Sequence, residues 1–428
     1  MHVFVKSFGC STNLADGEVL AGCLLKAGHK LVDSALEADV LIYNMCAVKG
    51  PTENRAIATL KCAPKGKKVI VAGCLPLINF ERLNREVHLD AAIRPAAGDT
   101  IADVVNRVFA GEKVVDLEGA LKGKPGLSLP QLRTNPVLSI IPVCYGCLGS
   151  CAYCCVVFAR GRLRSYPVNE VIKRVRNDLA AGAQEFWITS QDMACYGRDI
   201  GTNLAELLVA INAVQGDFRV RVGMMTPNFV SDILNDLIEA FRNEKVFKFV
   251  HLPVQSGDDE ILRSMKRFYS VQDFREVINE FRAVFPNVTV ATDIILGFPD
   301  ETRAAFNKTM NLIEQVKPDV VNVSKFFGRP GTAAAEMHEA FLEPAVIKRR
   351  SVKASKIVKQ ISLERNQRWV GWTGEALVDE KGKVPKSWIG RNFAYKPIAL
   401  KSSTELLGKK LQVKIEKVFS TYLVGTAE

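Results

Sequence analysis

The first 111 positions alternate between short apolar runs and segments with helical periodicity. The runs VLIYNM (40–45) and KKVIVAG (67–73) predict buried strands, and HVFVKSFG (2–9) predicts a third. Helical patterns lie between and after them, at 14–28, 51–61 and 100–111. Strand–helix alternation favours a parallel sheet covered by helices, so residues 1–111 are predicted to form an N-terminal parallel α/β domain.

The alternation is interrupted by a segment rich in glycine and proline. Residues 112–136 have no sustained period and predict a linker. Six further strands are then predicted, with helical patterns between them, at 137–143, 185–190, 219–225, 248–254, 288–298 and 319–327. Six βα units over residues 137–367 predict a partial or a full barrel, with functional loops at the carboxyl ends of its strands.

The last segment, 368–428, has short strands separated by turns and no helical pattern, which predicts a small all-β barrel. It holds eleven Lys/Arg against six Asp/Glu, a net charge of +5. Aromatic residues are interleaved with these charges: Trp369, Trp372, Trp388, Phe393 and Tyr395. The combination suits contacts with phosphates and bases, although each ring is equally compatible with the core of the barrel.

Composition and charge narrow the class of protein. The chain of 428 residues has a formal net charge of +11, and an excess of this size suits a polyanionic partner, nucleic acid first. No apolar run reaches the length of a membrane span, and the N-terminus lacks the pattern of a signal peptide. We therefore expect a cytoplasmic protein without a membrane partner.

Five of the eleven cysteines lie in VCYGCLGSCAYCC (143–155). Zinc sites usually separate their two CxxC pairs by a dozen residues or more, and only three separate them here. A redox CxxC would leave the other cysteines unexplained, and disulfides do not suit the expected compartment.

The remaining interpretation selects three cysteines of the stretch, Cys147, Cys151 and Cys154, which we call the loop trio. Their CxxxCxxC spacing lets one loop supply three thiolates to a [4Fe–4S] cluster and leaves one iron open for a small molecule. Cys144 and Cys155 are expected to be buried structural thiols.

A second set, the strand-end trio, consists of Cys10, Cys46 and Cys74. Each directly follows one of the three predicted strands of the N-terminal domain. The carboxyl ends of parallel strands lie along one edge of a sheet, where ligands gather, so the three thiols are predicted to converge.

These motifs carry a family resemblance. The CxxxCxxC motif on the first strand of a βα barrel resembles the radical S-adenosylmethionine (SAM) superfamily. The words FGCSTNLADGE, NMCAVKGPTENR and VAGCLP resemble the N-terminal domain of the methylthiotransferases, and the likeness extends over essentially the whole chain. It implies a partial (β/α)6 radical-SAM barrel, a C-terminal TRAM barrel that binds RNA, SAM, and two [4Fe–4S] clusters, the auxiliary one held by the strand-end trio.

The resemblance also implies site residues at the strand ends. Tyr153 is placed beside the adenine of SAM, and Ser190 with Gln191 near its amino group. Further candidate SAM contacts are Gln255, Ser256, Thr292 and Asp293, each equally compatible with an ordinary hydrogen-bonded residue or a helix cap. Candidate RNA contacts are Arg160, Arg162, Arg164, Lys383, Lys386 and Arg391. The three arginines at 160–164 also suit SAM or a solvated charge run.

The segments GCLGSCAYC and ARGRLRSYP are similar to the archaeal and eukaryotic branch of the family. This branch implies methylthiolation at C2 of N6-threonylcarbamoyladenosine at tRNA position 37. Open alternatives are an isopentenyladenosine tRNA, an aspartate of a ribosomal protein, and a non-catalytic iron–sulfur RNA-binding sensor. We further expect an electron donor such as a flavodoxin or a ferredoxin, and a monomer.

Overall fold

The computed structural model describes residues 1–47, 50–118 and 123–427, and its N-terminal domain is built on one parallel sheet. The strands are β1 His2–Ser7, β2 Lys30–Leu31, β3 Val40–Met45, β4 Lys68–Gly73, β5 Ala91–Ile93 and β6 Val114–Asp116. The helices are α1 Ser11–Lys26, α2 Gly50–Lys61, α3 Cys74–Ile78, α4 Phe80–Glu86 and α5 Ile101–Phe109. The spatial order of the strands is β2-β1-β3-β4-β5-β6.

Strand β3 shows why the strands of this domain appear in the sequence as continuous apolar runs and not as alternating apolar and polar residues. All six of its residues are buried. Leu41 and Tyr43 pack into one hydrophobic core, whereas Val40 and Ile42 pack into another. Both faces of the sheet are covered, as the predicted parallel sheet requires.

Strand β6 is a difference from the sequence-based boundaries, because it lies within the predicted linker 112–136. A three-residue strand is too short to give a recognisable period. Residues 119–122 of that linker lie outside the described part of the chain.

The central domain confirms the six predicted βα units. Its parallel strands are β7 Leu138–Pro142, β10 Glu185–Thr189, β11 Arg219–Val222, β12 Phe249–His251, β13 Thr289–Leu296 and β14 Val320–Lys325. A short hairpin of β8 Cys144–Tyr145 and β9 Arg164–Ser165 follows β7. The strands form two sheets, ordered β11-β10-β7 and β12-β13-β14. An isolated β-bridge between Val220 of β11 and Val246, shortly before β12, joins the two sheets. The result is a partial barrel with β7 and β14 at its outer edges.

The described residues of the central domain also form nine helices. They are α6 Val156–Arg160, α7 Val168–Ala180, α8 Leu204–Asn212, α9 Pro227–Ser231, α10 Leu234–Arg242, α11 Asp259–Ser264, α12 Val271–Val284, α13 Arg303–Val316 and α14 Pro344–Gln367. Short 3-10 turns occur at Met193–Cys195, Ala333–Ala335 and His338–Ala340. Within the described residues, no helix has the length and apolar character needed to cross a membrane.

The C-terminal domain is the predicted all-β barrel, and five strands close it. They are β15 Thr373–Lys381, β16 Ser387–Arg391, β17 Pro397–Lys401, β18 Lys410–Val418 and β19 Leu423–Ala427. Tyr395 packs 5.3 Å from the ring of Phe249, the first residue of β12. Lys396 Nζ lies 2.9 Å from Asp319 Oδ1, one residue before β14. The C-terminal barrel therefore docks on the amino ends of the central strands, opposite the cysteine-rich loop.

Candidate active site

The cysteine-rich loop (146–155, the cluster loop) leaves the hairpin at a glycine that the backbone requires. Gly146 has φ +77°, and a Cβ there would lie 2.1 Å from the carbonyl oxygen of Arg162. The Gly146 N–H donates to Gln191 Oε1 at 2.8 Å. Gln191 follows the carboxyl end of β10, so a neighbouring strand fixes the start of the loop.

Within the loop, polar groups already surround the sulfur atoms. The Gly149 N–H donates to Cys147 Sγ at 3.2 Å, and Arg267 Nη1 donates to Cys151 Sγ at 3.1 Å. Burial, with the neighbouring Cys151, raises the pKa of Cys154, so this thiol needs a metal to become a thiolate at neutral pH. Hydrogen-bond donors such as the Gly149 N–H and Arg267 Nη1 stabilise sulfur ligands that carry negative charge.

The spacing of the loop trio differs from that of the ligands of a single zinc ion. Around zinc, bonds of 2.3 Å hold sulfur ligands about 3.8 Å apart. Among the described residues, one trio has all ligand atoms within 4.8 Å of one another, and it is Cys147, Asp192 and Cys195. Cys147, Cys151 and Cys154 do not form such a group, so their sulfur atoms are not held at the spacing of zinc ligands.

A cavity of about 470 Å³ opens beside the loop trio. Its walls include all three cysteines and three of the predicted SAM contacts, Tyr153, Gln191 and Gln255. The ring of Tyr153 is held edge-on by Phe298 at 6.4 Å. All three residues line an open volume at the cluster loop, and their contacts with SAM stay predictions.

Four other predicted SAM contacts lie outside the walls of this cavity: Ser190, Ser256, Thr292 and Asp293. Thr292 Oγ1 donates to the Leu252 carbonyl at 2.7 Å and accepts the Val254 N–H at 3.0 Å. Ser256 Oγ accepts the Asp258 N–H at 3.2 Å. Both residues are buried and form hydrogen bonds with backbone groups, so this cavity does not support their contact with SAM, which stays a prediction.

Ser190 and Asp293 also have other neighbours. The Ser190 hydroxyl lies against the thiol of Cys144, whose pKa burial raises to about 12. Asp293 Oδ2 lies 3.1 Å from His251 Nε2, and Asp293 Oδ1 accepts from Asn322 Nδ2 at 2.6 Å. This polar cluster lies on the strands β12–β14. Cys144 is buried as expected, and so is Cys155.

The strand-end trio converges. A Cβ on Gly9 would lie 2.3 Å from Cys46 Cβ, so the loop that carries Cys10 touches Cys46. Burial raises the pKa of Cys74 to about 12, and the nearby Cys46 and Cys10 add to the increase. Three mutually close thiols at one sheet edge fit a second cluster. They are absent from the walls of the 470 Å³ cavity, so a cavity shared by both clusters stays a prediction.

Arg160 is a buried residue of the helix that follows the cluster loop, and this position does not support its predicted contact with RNA. It is 2% exposed, and its Nη2 lies 2.6 Å from Asp16 Oδ2 of the N-terminal domain. Its guanidinium also interacts with Cys74, and Nη1 has no hydrogen-bond partner among the described residues. Arg160 is the last residue of α6, the five-residue helix that follows the cluster loop.

The other predicted RNA contacts divide into two groups. Arg164 donates to the Arg160 carbonyl at 2.9 Å, and Arg391 pairs with Asp379 at 3.0 Å, so both are engaged within the protein. The remaining three are exposed: Arg162, Lys383 and Lys386. Of the aromatic residues in the C-terminal barrel, Trp369 and Trp388 are core residues, whereas Phe393 is 40% exposed.

Two features of the site had no signal in the sequence. Cys195 lies in a 3-10 turn outside both cysteine trios. A hydrogen bond between Cys195 and Cys147 lowers the pKa of Cys147. Phe158 and Phe268 line the cavity with rings that are 41% and 74% exposed. Tertiary structure brings Cys195 and Phe268 to the cluster loop, whereas Phe158 follows the loop by three residues in the sequence.

Comparison with known families agrees with this geometry. The Radical SAM superfamily model matches residues 141–313, the model described as Uncharacterized protein family UPF0004 matches 2–93, and the TRAM domain model matches 367–427. The chain is thus a radical SAM enzyme with a TRAM barrel. The radical SAM methyltransferase TsrM from Kitasatospora setae is similar in fold, with a TM-score of 0.56 and 12% identity over 78% of this chain and 75% of that one.

Full-length relatives define the family more narrowly. The chain is 40% identical to a probable threonylcarbamoyladenosine tRNA methylthiotransferase of Pyrococcus horikoshii over 99% of both chains. It is 34% identical to the human threonylcarbamoyladenosine tRNA methylthiotransferase, over 99% of this chain and 73% of the human one. The chain belongs to the threonylcarbamoyladenosine tRNA methylthiotransferase family. Membership confirms the predicted enzyme class and its cofactors, SAM and [4Fe–4S] clusters.

Proposed function

We propose that the chain adds a methylthio group to C2 of threonylcarbamoyladenosine at tRNA position 37, with a cluster on each cysteine trio. The observation that carries the proposal is the coexistence of two separate thiol trios, one in the cluster loop and one at the sheet edge of the N-terminal domain. When bound, the clusters and SAM supply the methylated sulfur and the radical that activates an unreactive C–H bond. One trio would suffice for cleavage of SAM, and the second answers the need for a sulfur donor.

The residues of this chain bind and orient the reactants. The loop trio would hold one cluster, with Tyr153 and Gln191 positioning SAM in the cavity beside it. Cys10, Cys46 and Cys74 would hold the other. Arg267 and the Gly149 N–H would stabilise the sulfur ligands of the first cluster through the hydrogen bonds described above.

The cavity also suits a nucleotide that carries a carboxylate. Arg162 and Lys266 line its rim, and both are exposed. Neither has an ion pair with a described residue, so both cations are available to an anionic group. A threonylcarbamoyl group offers a carboxylate and a hydroxyl, whereas an isopentenyl group offers neither. The rim therefore favours threonylcarbamoyladenosine over the isopentenyl alternative.

The direct test is mass spectrometry of tRNA nucleosides from cells with and without this protein. We expect 2-methylthio-threonylcarbamoyladenosine to be absent without it, with unmethylthiolated threonylcarbamoyladenosine accumulating in its place. Unchanged amounts of the methylthio nucleoside would refute the substrate assignment. A purely structural iron–sulfur RNA sensor predicts no change, and it also predicts no 5′-deoxyadenosine from SAM under reducing anaerobic conditions.

Replacing Phe268 by alanine is expected to weaken productive binding of tRNA. Its ring is exposed at the cavity, where a nucleobase can stack, and one such stack contributes about 1–3 kcal/mol. We expect KM for tRNA to rise by about tenfold or more, with SAM cleavage in the absence of RNA unchanged. The matched control is Phe109→Ala, because Phe109 is 55% exposed on α5, far along the chain from the cluster loop. Equal KM values for the two variants would exclude stacking on Phe268.

Three expectations stay predictions: the flavodoxin or ferredoxin electron donor, the monomeric state, and the cytoplasmic location. The last follows from a tRNA substrate. The first two have no contact surface assigned to them in the described residues.

A further inference from the structure

The long helix α14 carries an exposed row of positive charge that the function described so far does not use. Its exposed basic residues are Lys348, Arg349, Lys353, Lys356 and Lys359. From Arg349 onward, successive members are four, three and three residues apart, so the row lies along one face of the helix. The first acidic residue after the helix begins is Glu364.

Among the residues that the structure describes, no carboxylate neutralises the charges of this row. No ion pair joins any of these five side chains to a described carboxylate, although Lys353 lies over the ring of Phe306. Two nearby bases behave differently, since Arg350 pairs with Glu301 and Lys317 pairs with Glu364. A solvated surface helix usually intersperses both signs of charge, so an unrelieved row indicates an anionic partner.

Helix α14 connects the two ends of the central barrel. At its start, Ile347 packs on Gly297, next to the Phe298 ring that holds Tyr153 of the cluster loop. At its end, Asn366 Nδ2 donates to the Phe419 carbonyl of the C-terminal barrel at 2.7 Å. The 24 residues of the helix span about 36 Å, which is the distance from the C-terminal barrel to the catalytic end.

A groove of about 810 Å³ runs beside the row, between α14, the edge strand β14 and the C-terminal barrel. Lys359 belongs to both the row and the groove. The other polar groups of the groove include Asn322, Ser355, Ser420 and Thr421. Amide and hydroxyl groups beside lysines are the donors that contact phosphate and sugar in nucleic-acid complexes.

We propose that the basic face of α14 binds the phosphate backbone of the substrate tRNA and guides it from the C-terminal barrel to the cavity at the cluster loop. The inference rests on the proposed function, because it takes tRNA as the partner. It answers a geometric problem, since the RNA-binding barrel and the cluster loop lie at opposite ends of the central strands. The α14 face is the basic path between them.

The test compares two full-length variants with the same reduction in charge. One is Lys348→Gln, Arg349→Gln, Lys356→Gln and Lys359→Gln combined. The control removes four exposed bases of the N-terminal domain, namely Lys30, Lys65, Arg85 and Lys113, each changed to Gln. Binding of a tRNA that contains threonylcarbamoyladenosine is measured against salt concentration. The logarithm of the binding constant falls linearly with the logarithm of the salt concentration. Each phosphate that the protein no longer binds makes this negative slope shallower by about 0.7–0.9. For the four charges removed from α14, we expect the slope to become shallower by about 3.

The control should keep the slope of the unmodified protein, and both variants should still release 5′-deoxyadenosine from SAM without RNA. Equal slopes for the α14 variant and the control would overturn the inference, even if methylthiolation of tRNA by the unmodified protein is confirmed. Loss of SAM cleavage in the α14 variant would also overturn it, because the helix would then act on the cluster loop. If the unmodified protein neither binds nor modifies this tRNA, the proposed function itself fails.

Discussion

Replacing Cys74 by alanine is expected to abolish methylthiolation of tRNA while cleavage of SAM continues. Cys74 is the first residue of α3, and its thiol interacts with Cys46, Cys10 and Arg160. The loop trio and the cavity beside it contain no atom of this group. Loss of one thiol from the strand-end trio should therefore remove the auxiliary cluster and leave the other in place.

The two outcomes are separated by measuring 5′-deoxyadenosine and the methylthio nucleoside in the same anaerobic reaction. Iron content should fall by one cluster per chain. Cys62→Ala is the matched control, because Cys62 is an exposed cysteine that directly follows α2 in the same domain, and this variant should retain both activities. Cys151→Ala should lose both products. Methylthiolation that survived in Cys74→Ala would show that the strand-end trio holds no required cluster.

The positions of the strand-end thiols were predictable because they depend on topology, whereas the role of the six cysteines as cluster ligands stays a proposal. A residue that directly follows a parallel strand lies at the carboxyl edge of the sheet, whatever its neighbours are. Cys46 follows β3 and Cys74 follows β4, and these strands are adjacent. Sequence spacing also sufficed for the loop trio, since one loop carries all three thiols.

The contacts with SAM were harder to predict because a strand alternates its side chains. Thr292 shares a face of β13 with Val290 and Ile294, which pack in the core between barrel and helices. Asp293 points to the opposite face, toward His251. A shift of one residue in the inferred register exchanges these roles, and the sequence does not fix that register.

Contacts between residues that are far apart in the sequence were also not predictable. The arginines at 160, 162 and 164 look alike in the sequence, yet they differ fully in environment. Arg160 ends the short helix α6 inside the interface with the N-terminal domain, whereas Arg162 is exposed at the cavity. The acidic partner of Arg160 is Asp16, 144 positions earlier. Only the packing of the two domains distinguishes a buried ion pair from a solvated charge.

The second prediction with a large expected effect concerns the replacement of the buried Arg160. Asp16 is 2% exposed, accepts from Arg160 and from the hydroxyl of Tyr145, and lies in the N-terminal domain near the strand-end trio. Replacing Arg160 by methionine leaves this carboxylate uncompensated, at a cost of about 3–5 kcal/mol. It also removes the positive charge that faces Cys74. We expect Arg160→Met to lose methylthiolation and to retain less iron at the strand-end trio.

The effect of Arg160 on the strand-end cluster can be measured by spectroscopy, without enzymatic activity. In a background with Cys147, Cys151 and Cys154 changed to alanine, only the strand-end trio can hold a cluster. Reduction adds negative charge, so loss of a nearby cation should make the reduction potential of this cluster more negative. Arg160→Lys should restore part of the potential, and adding Asp16→Asn to Arg160→Met should restore folding but not potential.

Arg164→Met is the matched control, because Arg164 is a partly buried arginine of the same segment that donates to backbone carbonyls. It should leave both the iron content and the potential of the strand-end cluster unchanged. Identical potentials in the Arg160 and Arg164 variants would mean that Arg160 only fastens the two domains together. A shift confined to Arg160 would instead show that one side chain couples the helix after the cluster loop to the electronic state of the second site.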